Sequence, residues 1–302
     1  MFSPTFSSAT TGAAWRMTPP AAREAKRQRL ELAGLLAVLL FYCDHAAAQL
    51  MVYPTRVVLE NNQRSEQLEI VNNSGRSVTY LISLVNRRMD EDGKFSAVET
   101  PLPGEQFADA MLRYSPRRVT LAPGANQVIR VMARRPAELA AGEYRSHLLF
   151  AEQPDAQAPA NTQPKEDSSA GIGVSLTALV GVTVPVILRA GATAASVSLG
   201  NLSISGATAS QPPVVAVDLQ RSGNRSTYGD LSASFAAAGR APLEIGKVAG
   251  LAVYTPNALR RVKLQLNAPA GMALSNGTLT VRYQERTGRS NEPSVETSIA
   301  LP

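Results

Sequence analysis

One stretch of the chain carries apolar side chains at every second position over an unusual length. Successive side chains of a β-strand point to opposite faces of its sheet. The following residues would therefore share one face: Val174, Leu176, Ala178, Val180, Val182, Val184, Val186 and Leu188. A strand over 172–188 would far exceed the usual five or six residues. Because a long apolar edge attracts other chains, we expect either that a partner covers this strand or that the protein serves to offer it.

The first 48 residues have the features of a secretory signal peptide. A basic region at 23–29 precedes an apolar run at 32–42, which is too short to span a membrane. Small residues at 46–48 then offer a cleavage site before Gln49. The basic region is far from Met1, so the start codon could be Met1 or Met17. We predict export to a bacterial periplasm.

The remaining chain, 49–302, contains no cysteine and a single histidine, His147. Its 25 Lys and Arg against 21 Asp and Glu leave a net charge of +4, without a basic run, which argues against nucleic acid as a partner. No apolar stretch after residue 48 is suited to a transmembrane helix, so we predict no membrane insertion. Without disulfides the hydrophobic core must suffice, and two domains of about 120 residues can provide it.

Short β-rich runs separated by turn signals fill the chain after residue 48, and helix signals are nearly absent. In the first half, strands are predicted at 51–60, 65–72, 78–86, 117–121, 127–133, 142–151 and 172–188. In the second half, they are predicted at 196–204, 214–221, 231–238, 244–254, 261–266, 277–284 and 295–301. Seven strands suffice for an immunoglobulin-like sandwich. We therefore predict an all-β protein with domains at 49–190 and 191–302.

The residue types that enzymes and metal sites require are nearly missing. His147 lies inside a strand motif without a nucleophile elbow, and zinc would lack donors. No glycine-rich phosphate loop follows a predicted strand. The acidic segment 90–93 lacks the rest of a calcium loop and is interpreted as a turn. We predict no enzymatic activity, no cofactor and no metal.

Several motifs recur along the chain in a fixed order. They are PTRVVL at 54–59, LEIVNNS at 68–74, PRRVTLAPG at 116–124, QVIRV at 127–131, GEYRSHL at 142–148, and GNRS at 223–226 before YGD at 228–230. In order and spacing they resemble the periplasmic chaperones of chaperone–usher pilus assembly, the PapD-like family. The resemblance covers essentially all of 49–302 and is stronger in the first half. It implies two immunoglobulin-like β-sandwich domains in an L-shaped (boomerang) arrangement.

In that family the chaperone lends a strand to a pilus subunit that lacks its own last strand, and then delivers the subunit to an outer-membrane usher. The resemblance therefore implies a fimbrial assembly chaperone whose partners are pilus or fimbrial subunits and an usher. Carried over by position, the subunit-binding donor residues are Val174, Leu176, Ala178 and Val180. Further along the same run, Val184, Val186 and Leu188 are expected to belong to the core of the domain.

Two arginines match positions with roles in the family. Arg56 matches a strand arginine that holds the C-terminal carboxylate of the subunit, a pairing that suits two planar groups. The lysine that usually assists it is missing, because its position is Pro185, which cannot donate a hydrogen bond. Either Arg56 binds alone or another base helps, such as Arg189, which matches an arginine used between domains. Arg145, in a strand motif, is interpreted as structural.

Other classes of protein remain open. A secreted immunoglobulin-like adhesin or pilus subunit would have a similar composition, but would lack its own last strand. A polysaccharide-binding module would need exposed aromatic side chains, and the only tryptophan, Trp15, lies in the predicted signal peptide. The free strand edge could also pair with a second copy of the chain, which would give a self-capping dimer.

Overall fold

The structure is a computed structural model that describes residues 49–153, 181–206, 212–269, 271–288 and 292–302. The predicted signal peptide and the donor residues Val174, Leu176, Ala178 and Val180 lie outside these ranges. Within them, regular structure consists of β-strands and a short 3-10 turn at Asp109–Met111. The all-β prediction is therefore confirmed. None of the described residues forms a helix with the length and hydropathy needed to cross a lipid bilayer.

The first group of strands builds two sheets that pack face to face. Its members are β1 (Leu50–Tyr53), β2 (Val57–Leu59), β3 (Ser65–Asn72), β4 (Val78–Val85), β5 (Arg87–Met89), β6 (Phe95–Ala97), β7 (Leu112–Ser115), β8 (Arg118–Leu121), β9 (Asn126–Ala133), β10 (Gly142–Glu152) and β11 (Gly181–Ala190). One sheet has the order β1-β3-β9-β7, the other β2-β11-β10-β4-β8, and β5 pairs with β6 alone. The pair β2 and β11 is parallel, whereas β10 and β11 are antiparallel.

The core between these sheets follows from the two-residue period of the strands. Alternate side chains of β3 and β9 are buried, and so are the even-numbered side chains of β11 from Val184 onward, whereas β10 is buried on both faces over most of its length. The fully buried side chains from the two facing sheets include Leu68, Ile70, Ile129, Val131, Leu148, Phe150, Val186 and Leu188. Val184 belongs to the same cluster. The prediction that Val184, Val186 and Leu188 form part of the core is confirmed.

The predicted strand 51–60 is wrong as a single element. Pro54 interrupts it, because proline lacks the N–H group that a continuing strand would donate. The chain pairs with β3 through β1 before the proline, and with β11 through β2 after it. The segment between β1 and β2 thus crosses from one sheet to the other and brings Arg56 to the edge of the five-stranded sheet.

The β5–β6 hairpin and β7 were not predicted, because strands of three or four residues are too short to show alternation. The segment 90–93 closes this hairpin. The Asp90 carboxylate accepts hydrogen bonds from the backbone N–H groups of Asp92 at 3.0 Å and Lys94 at 2.8 Å. Its interpretation as a turn is confirmed.

All seven strands predicted in the second half are present, with their ends shifted by a few residues. They are β12 (Ala195–Ser205), β13 (Val214–Gly223), β14 (Thr227–Ala237), β15 (Leu243–Val253), β16 (Leu259–Gln265), β17 (Gly277–Glu285) and β18 (Ser294–Leu301). They form a three-stranded sheet, β12-β13-β16, and a four-stranded sheet, β15-β14-β17-β18. Between the sheets lies a second core that includes Val217, Leu219, Leu231, Phe235, Leu279, Val281 and Tyr283.

A small third cluster joins the two groups of strands. Met89 at the end of β5 and Ile187 of β11 pack with Ala252 and Tyr254 of the second group. Ile187 faces away from the first core, because its neighbours Val186 and Leu188 face into it. One face of β11 therefore belongs to the first core, and the opposite face meets the second group.

Candidate functional site: a cleft beside Arg56

Arg56 lies immediately before β2, between the two groups of strands. Its Nη2 donates a hydrogen bond to Ser226 Oγ at 3.3 Å. Its guanidinium carbon lies 4.8 Å from the ring centroid of Tyr228 and 5.9 Å from that of Tyr254. Aromatic faces attract cations, so both rings help to hold the guanidinium in place. The second group of strands thus positions an arginine that the first group contributes.

One nitrogen of this guanidinium is left for another partner. Arg56 Nη1 is buried and makes no hydrogen bond to any residue that the structure describes. A buried donor without an acceptor is costly, and more so when it is part of a charged group. An anion that reached this nitrogen would remove that cost, and a carboxylate has the matching planar shape.

The open edge of β11 leads to this arginine. Strand β10 pairs with β11 along its whole described length, from Gly181 to Ala190. On the other side, β2 pairs only with Val186 to Leu188, in a register that sets Val57 opposite Val186. Among the described residues, Gly181 to Pro185 therefore have no strand on that edge. Arg56 closes the end of the vacant slot.

Pro185 lies where the edge is still unpaired, one position before β2 begins to pair with β11. A proline is tolerated at such an edge. Its side chain lines a cleft of about 230 Å³ together with Arg56, Thr183, Phe95 and Tyr254. The position predicted for the missing lysine is thus beside Arg56, but it offers no charge there.

Arg189 is held by two carboxylates. Its Nε donates to Glu143 at 3.1 Å and its Nη1 donates to Glu60 at 2.6 Å. Glu143 is completely buried and also accepts the backbone N–H of Ser226 at 3.1 Å. Since Ser226 Oγ accepts from Arg56, the contacts run from Arg189 through Glu143 and Ser226 to Arg56. Arg189 therefore supports Arg56 through this chain of contacts.

The sequence analysis did not identify Glu143 or Glu60 as the partners of Arg189. A signal for Glu143 was present in the strand register, since Glu143 lies directly opposite Arg189 in the β10–β11 pair. Cross-strand neighbours of opposite charge attract each other. The contribution of Ser226 had no such signal, because Ser226 lies in the turn between β13 and β14, far from Glu143 in the sequence.

Two further buried groups of β10 flank the cleft. Arg145 has its guanidinium carbon 4.0 Å from the ring centroid of Tyr254 and donates to the Arg87 carbonyl at 3.1 Å. Burial lowers the pKa of Arg145, which is 6 % exposed. Burial, and then the charges of Arg145 and Arg87, lower the pKa of His147 to about 3. His147 is therefore neutral at ordinary pH. The positive charges near Arg56 come from arginine side chains.

The described residues contain no group of three or more His, Cys, Asp or Glu that could hold a metal ion. The charges described above are those of Arg56, Arg87, Arg145 and Arg189, with Glu143 and Glu60 bound to Arg189. What this arrangement offers is a strand edge for backbone hydrogen bonds and, at its end, a cation with a vacant donor.

No family model and no curated protein matches this chain. Among solved structures it is similar to a pre-assembly complex of the chaperone CsuC with the tip adhesion subunit CsuE, from the archaic chaperone-usher Csu pili of Acinetobacter baumannii. That match has 12 % identity and a TM-score of 0.42, over 82 % of this chain and 98 % of that chain. The YadV chaperone matches with 11 % identity and a TM-score of 0.41, over 83 % and 100 %. The CupB2 chaperone of Pseudomonas aeruginosa matches with 15 % identity and a TM-score of 0.38, over 83 % and 100 %.

All three solved structures contain chaperones, the class that the sequence motifs resemble. Similarities with such TM-scores and identities are too distant to assign this chain to a family.

Proposed function

We propose that this protein is a periplasmic chaperone that binds pilus or fimbrial subunits by donor-strand complementation and delivers them to an outer-membrane usher. The observation that carries the proposal is the vacant edge of β11 at Gly181 to Pro185, which ends at the unpaired Nη1 of Arg56. A strand added along this edge would gain backbone hydrogen bonds whatever its sequence. Delivery to an usher rests on the resemblance of the motifs.

The charge of Arg56 determines the direction of the added strand. The slot is in line with β2, which runs parallel to β11. A strand that ran parallel to β11 would end at Arg56 with its C-terminal carboxylate, whereas an antiparallel strand would bring its N-terminal ammonium there. Only the first orientation pairs opposite charges, so the subunit binds with its last strand parallel to β11 and its carboxylate on Arg56.

The apolar alternation supports the donor role of the preceding segment. In β11 the even-numbered Val184, Val186 and Leu188 face the first core. If the strand continues upstream without a break, the predicted donor residues Val174, Leu176, Ala178 and Val180 have the same parity and would share that face. Beyond the sandwich, this face would fill the apolar groove of a subunit. The carboxylate on Arg56 would set the register, because a slip by one residue turns every side chain to the other face.

The missing lysine leaves Arg56 as the single charged anchor in this proposal. Ser226 and Tyr228, from the second group of strands, hold the guanidinium that a neighbouring lysine would otherwise assist. Arg189 then acts as a positioning residue, because it pairs with Glu143, which accepts the N–H of Ser226.

The proposal is tested by expressing the full chain in a bacterial periplasm with candidate subunits from its own gene neighbourhood. A one-to-one complex is expected on affinity purification. Arg56→Ala and Val180→Glu should each lose most of the subunit. Two exposed residues outside the site provide matched controls, and Arg240→Ala and Val128→Glu should retain it.

Each other outcome has a defined meaning. If only Val180→Glu loses the subunit, the donor strand is supported and binding of the carboxylate by Arg56 is rejected. Recovery of the chain as a dimer without any subunit, with the edge at 181–185 protected from hydrogen exchange, would indicate a self-capping protein. Retention of the subunit by both variants would contradict the proposal, and an adhesin or other structural protein would then be favoured.

A further inference from the structure

The β5–β6 hairpin pairs with no other strand of the described residues, yet its base is firmly bound to the first half of the chain. Arg88 forms a bidentate ion pair with Glu105, with nitrogen–oxygen distances of 2.5 and 2.7 Å. The carbonyl of Arg87 accepts a hydrogen bond from Arg145 Nη2 of β10 at 3.1 Å. Because a bidentate pair joins two planar groups in one geometry, the base gives the hairpin a defined direction.

The other end of the hairpin contacts the second group of strands, mainly through backbone acceptors. The Met89 carbonyl accepts from Asn257 Nδ2 at 2.7 Å, and the Glu91 carbonyl accepts from the Arg261 N–H at 2.7 Å. The Glu91 carboxylate also pairs with Arg261 Nη1 at 2.6 Å, but both side chains are half exposed, so this ion pair adds little. The two backbone acceptors therefore account for most of the attachment.

Gly93 makes the closest approach between the hairpin tip and the second group. Its φ of +84° lies in the left-handed region that favours glycine. A Cβ atom at this position would lie only 2.7 Å from the guanidinium carbon of Arg260. Arg260 is held there, because its Nη1 donates to the Ala252 carbonyl at 2.6 Å. Any side chain at position 93 must therefore displace Arg260.

The contacts of the hairpin lead to the surroundings of Arg56. Met89 of the hairpin packs with Ala252 and Tyr254, and the Tyr254 ring centroid lies 5.9 Å from the Arg56 guanidinium carbon. Ser226 Oγ accepts from Arg56 at 3.3 Å. Arg56 comes from the first half of the chain, whereas Tyr254 and Ser226 come from the second. Their contacts with Arg56 therefore require one particular orientation of the two groups of strands.

We propose that the β5–β6 hairpin is a strut that fixes the orientation of the second group of strands relative to the first, with Gly93 and Arg260 as positioning residues. Apolar packing is not directional, whereas hydrogen bonds are. The cluster around Met89 thus holds the two groups together, and the strut defines their angle. Its consequence for carboxylate binding by Arg56 rests on the proposed function.

A pair of glycine substitutions separates the strut from backbone strain. Gly93→Ala places a methyl group against Arg260. The matched control is Gly124→Ala, in the turn between β8 and β9, where φ is +72° and no described atom lies within 4 Å of a Cβ. Both variants strain the backbone, but only the first disturbs the strut. Asn257→Ala, which removes the hydrogen bond to the Met89 carbonyl, is a second variant in case Gly93→Ala fails to fold.

Distances between spin labels measure the orientation directly. Residues 49–302 contain no cysteine, so Val128→Cys and Arg240→Cys can carry the only labels in this part of the chain. Both positions are exposed, one in each group of strands. In protein purified from the periplasm after export of the full chain, double electron–electron resonance should give one narrow distribution for the parent and for Gly124→Ala. Gly93→Ala and Asn257→Ala should each broaden it.

A fluorescein-labelled ten-residue peptide of alternating Val and Thr tests the consequence for Arg56. With the parent protein, a free C-terminus should bind about 10-fold more tightly than an amidated one, since a charge-assisted hydrogen bond is gained. Gly93→Ala and Asn257→Ala should lose this preference, whereas Gly124→Ala should keep it. The amidated peptide should bind to all four proteins equally, because the vacant edge of β11 does not depend on the strut.

The outcomes distinguish the strut from the proposed function. Unchanged distance distributions in Gly93→Ala and Asn257→Ala would overturn the strut. Broader distributions with an unchanged preference for the free carboxylate would show that Arg56 keeps its position without the hairpin, and the inference would be wrong in that respect. If neither peptide binds the parent protein, the proposed function is contradicted, and the distances still decide whether the strut exists.

Discussion

Glu143 shows how a single buried carboxylate can link distant parts of the chain. Its side chain is 0 % exposed and contacts Arg189, whose side chain is 13 % exposed. It also accepts the N–H of Ser226, whose hydroxyl accepts from Arg56. Removing one partner of a buried ion pair leaves a charge without compensation, which is far more costly than losing an exposed pair. The position of Arg56 therefore depends on a pair of residues that need not contact the subunit.

We expect Arg189→Met to lower the free energy of unfolding by about 3 kcal/mol, because it removes the ion-pair partner of the buried Glu143 carboxylate. The matched control is Arg282→Met, whose partner Glu296 forms an exposed pair with 51 % and 50 % exposure, and it should cost less than about 1 kcal/mol. Urea unfolding measures both.

A double variant separates charge from packing. Adding Glu143→Gln to Arg189→Met should recover part of the loss, since a neutral amide oxygen can still accept from Ser226. A double variant that is less stable than Arg189→Met alone would contradict this account of the pair.

His147 is a buried neutral imidazole, and its pKa of about 3 lies well below the ordinary value of 6.5. Between these pH values the unfolded chain binds a proton that the folded chain does not. The contribution to stability is therefore complete above pH 6.5 and declines as the pH falls toward 3. We expect about 2 kcal/mol to be lost between pH 7.5 and pH 5 from this group.

The corresponding measurement is urea unfolding of the wild-type protein and of His147→Gln at both pH values. The variant should lack this part of the pH dependence, whatever its stability at pH 7.5. Equal loss of stability in both proteins would mean that other groups, such as carboxylates, cause the acid sensitivity.

Among the strands, β11 makes different contacts on each of its two faces and along each of its two edges. One face completes the first core, and the other contacts Met89 and Tyr254 through Ile187. One edge pairs with β10 throughout, and the other pairs with β2 only from Val186 onward. A strand with a vacant edge beside a fully paired stretch can accept another strand without disturbing its own sheet.

Hydrogen exchange should distinguish the two stretches of β11 in the free protein. Amides of 181–184 that do not pair with β10 should exchange much faster than those of 186–188, which have strands on both sides. Mass spectrometry of peptides from this strand measures the difference, and a bound subunit should slow the exchange at 181–184. Equal protection of both stretches in the free protein would mean that the edge is already covered.

At the scale of the whole molecule, the two groups of strands have separate cores, and no sheet of the described residues contains strands from both. Polar contacts also join them. The Met89 carbonyl accepts from Asn257 Nδ2 at 2.7 Å, and the Glu91 carbonyl accepts from the Arg261 N–H at 2.7 Å. Since each core is complete without the other, we propose that 49–190 and 191–302 are separate domains.

Residues 191–302 expressed alone should therefore fold and unfold cooperatively, as measured by circular dichroism. Their stability should be lower than in the whole chain, because Ala252 and Tyr254 would lose the apolar cover of Met89 and Ile187. A fragment without a cooperative transition would show that the two cores form one folding unit, and the proposed boundary would be wrong.

How much could be predicted depends on the length of each element. Strands β12 to β18 have seven to eleven residues, so their ends or their alternation were visible in the sequence. The short β5, β6 and β7 were missed, and the passage of the chain between sheets at Pro54 was taken for one strand. Arg56 and Arg189 were selected through a family resemblance, whereas Glu143, Ser226 and Phe95 were not selected at all.

Local sequence pattern is enough to establish which side chains of each long strand share a face, because alternation is a local property of an extended backbone. It thereby determined that Val184, Val186 and Leu188 are buried together. The tertiary structure alone decided which distant residues surround Arg56, since Ser226, Tyr228 and Tyr254 come from another group of sheets. Such contacts depend on how the two groups of strands pack against each other. No local sequence pattern in either group predicts that packing.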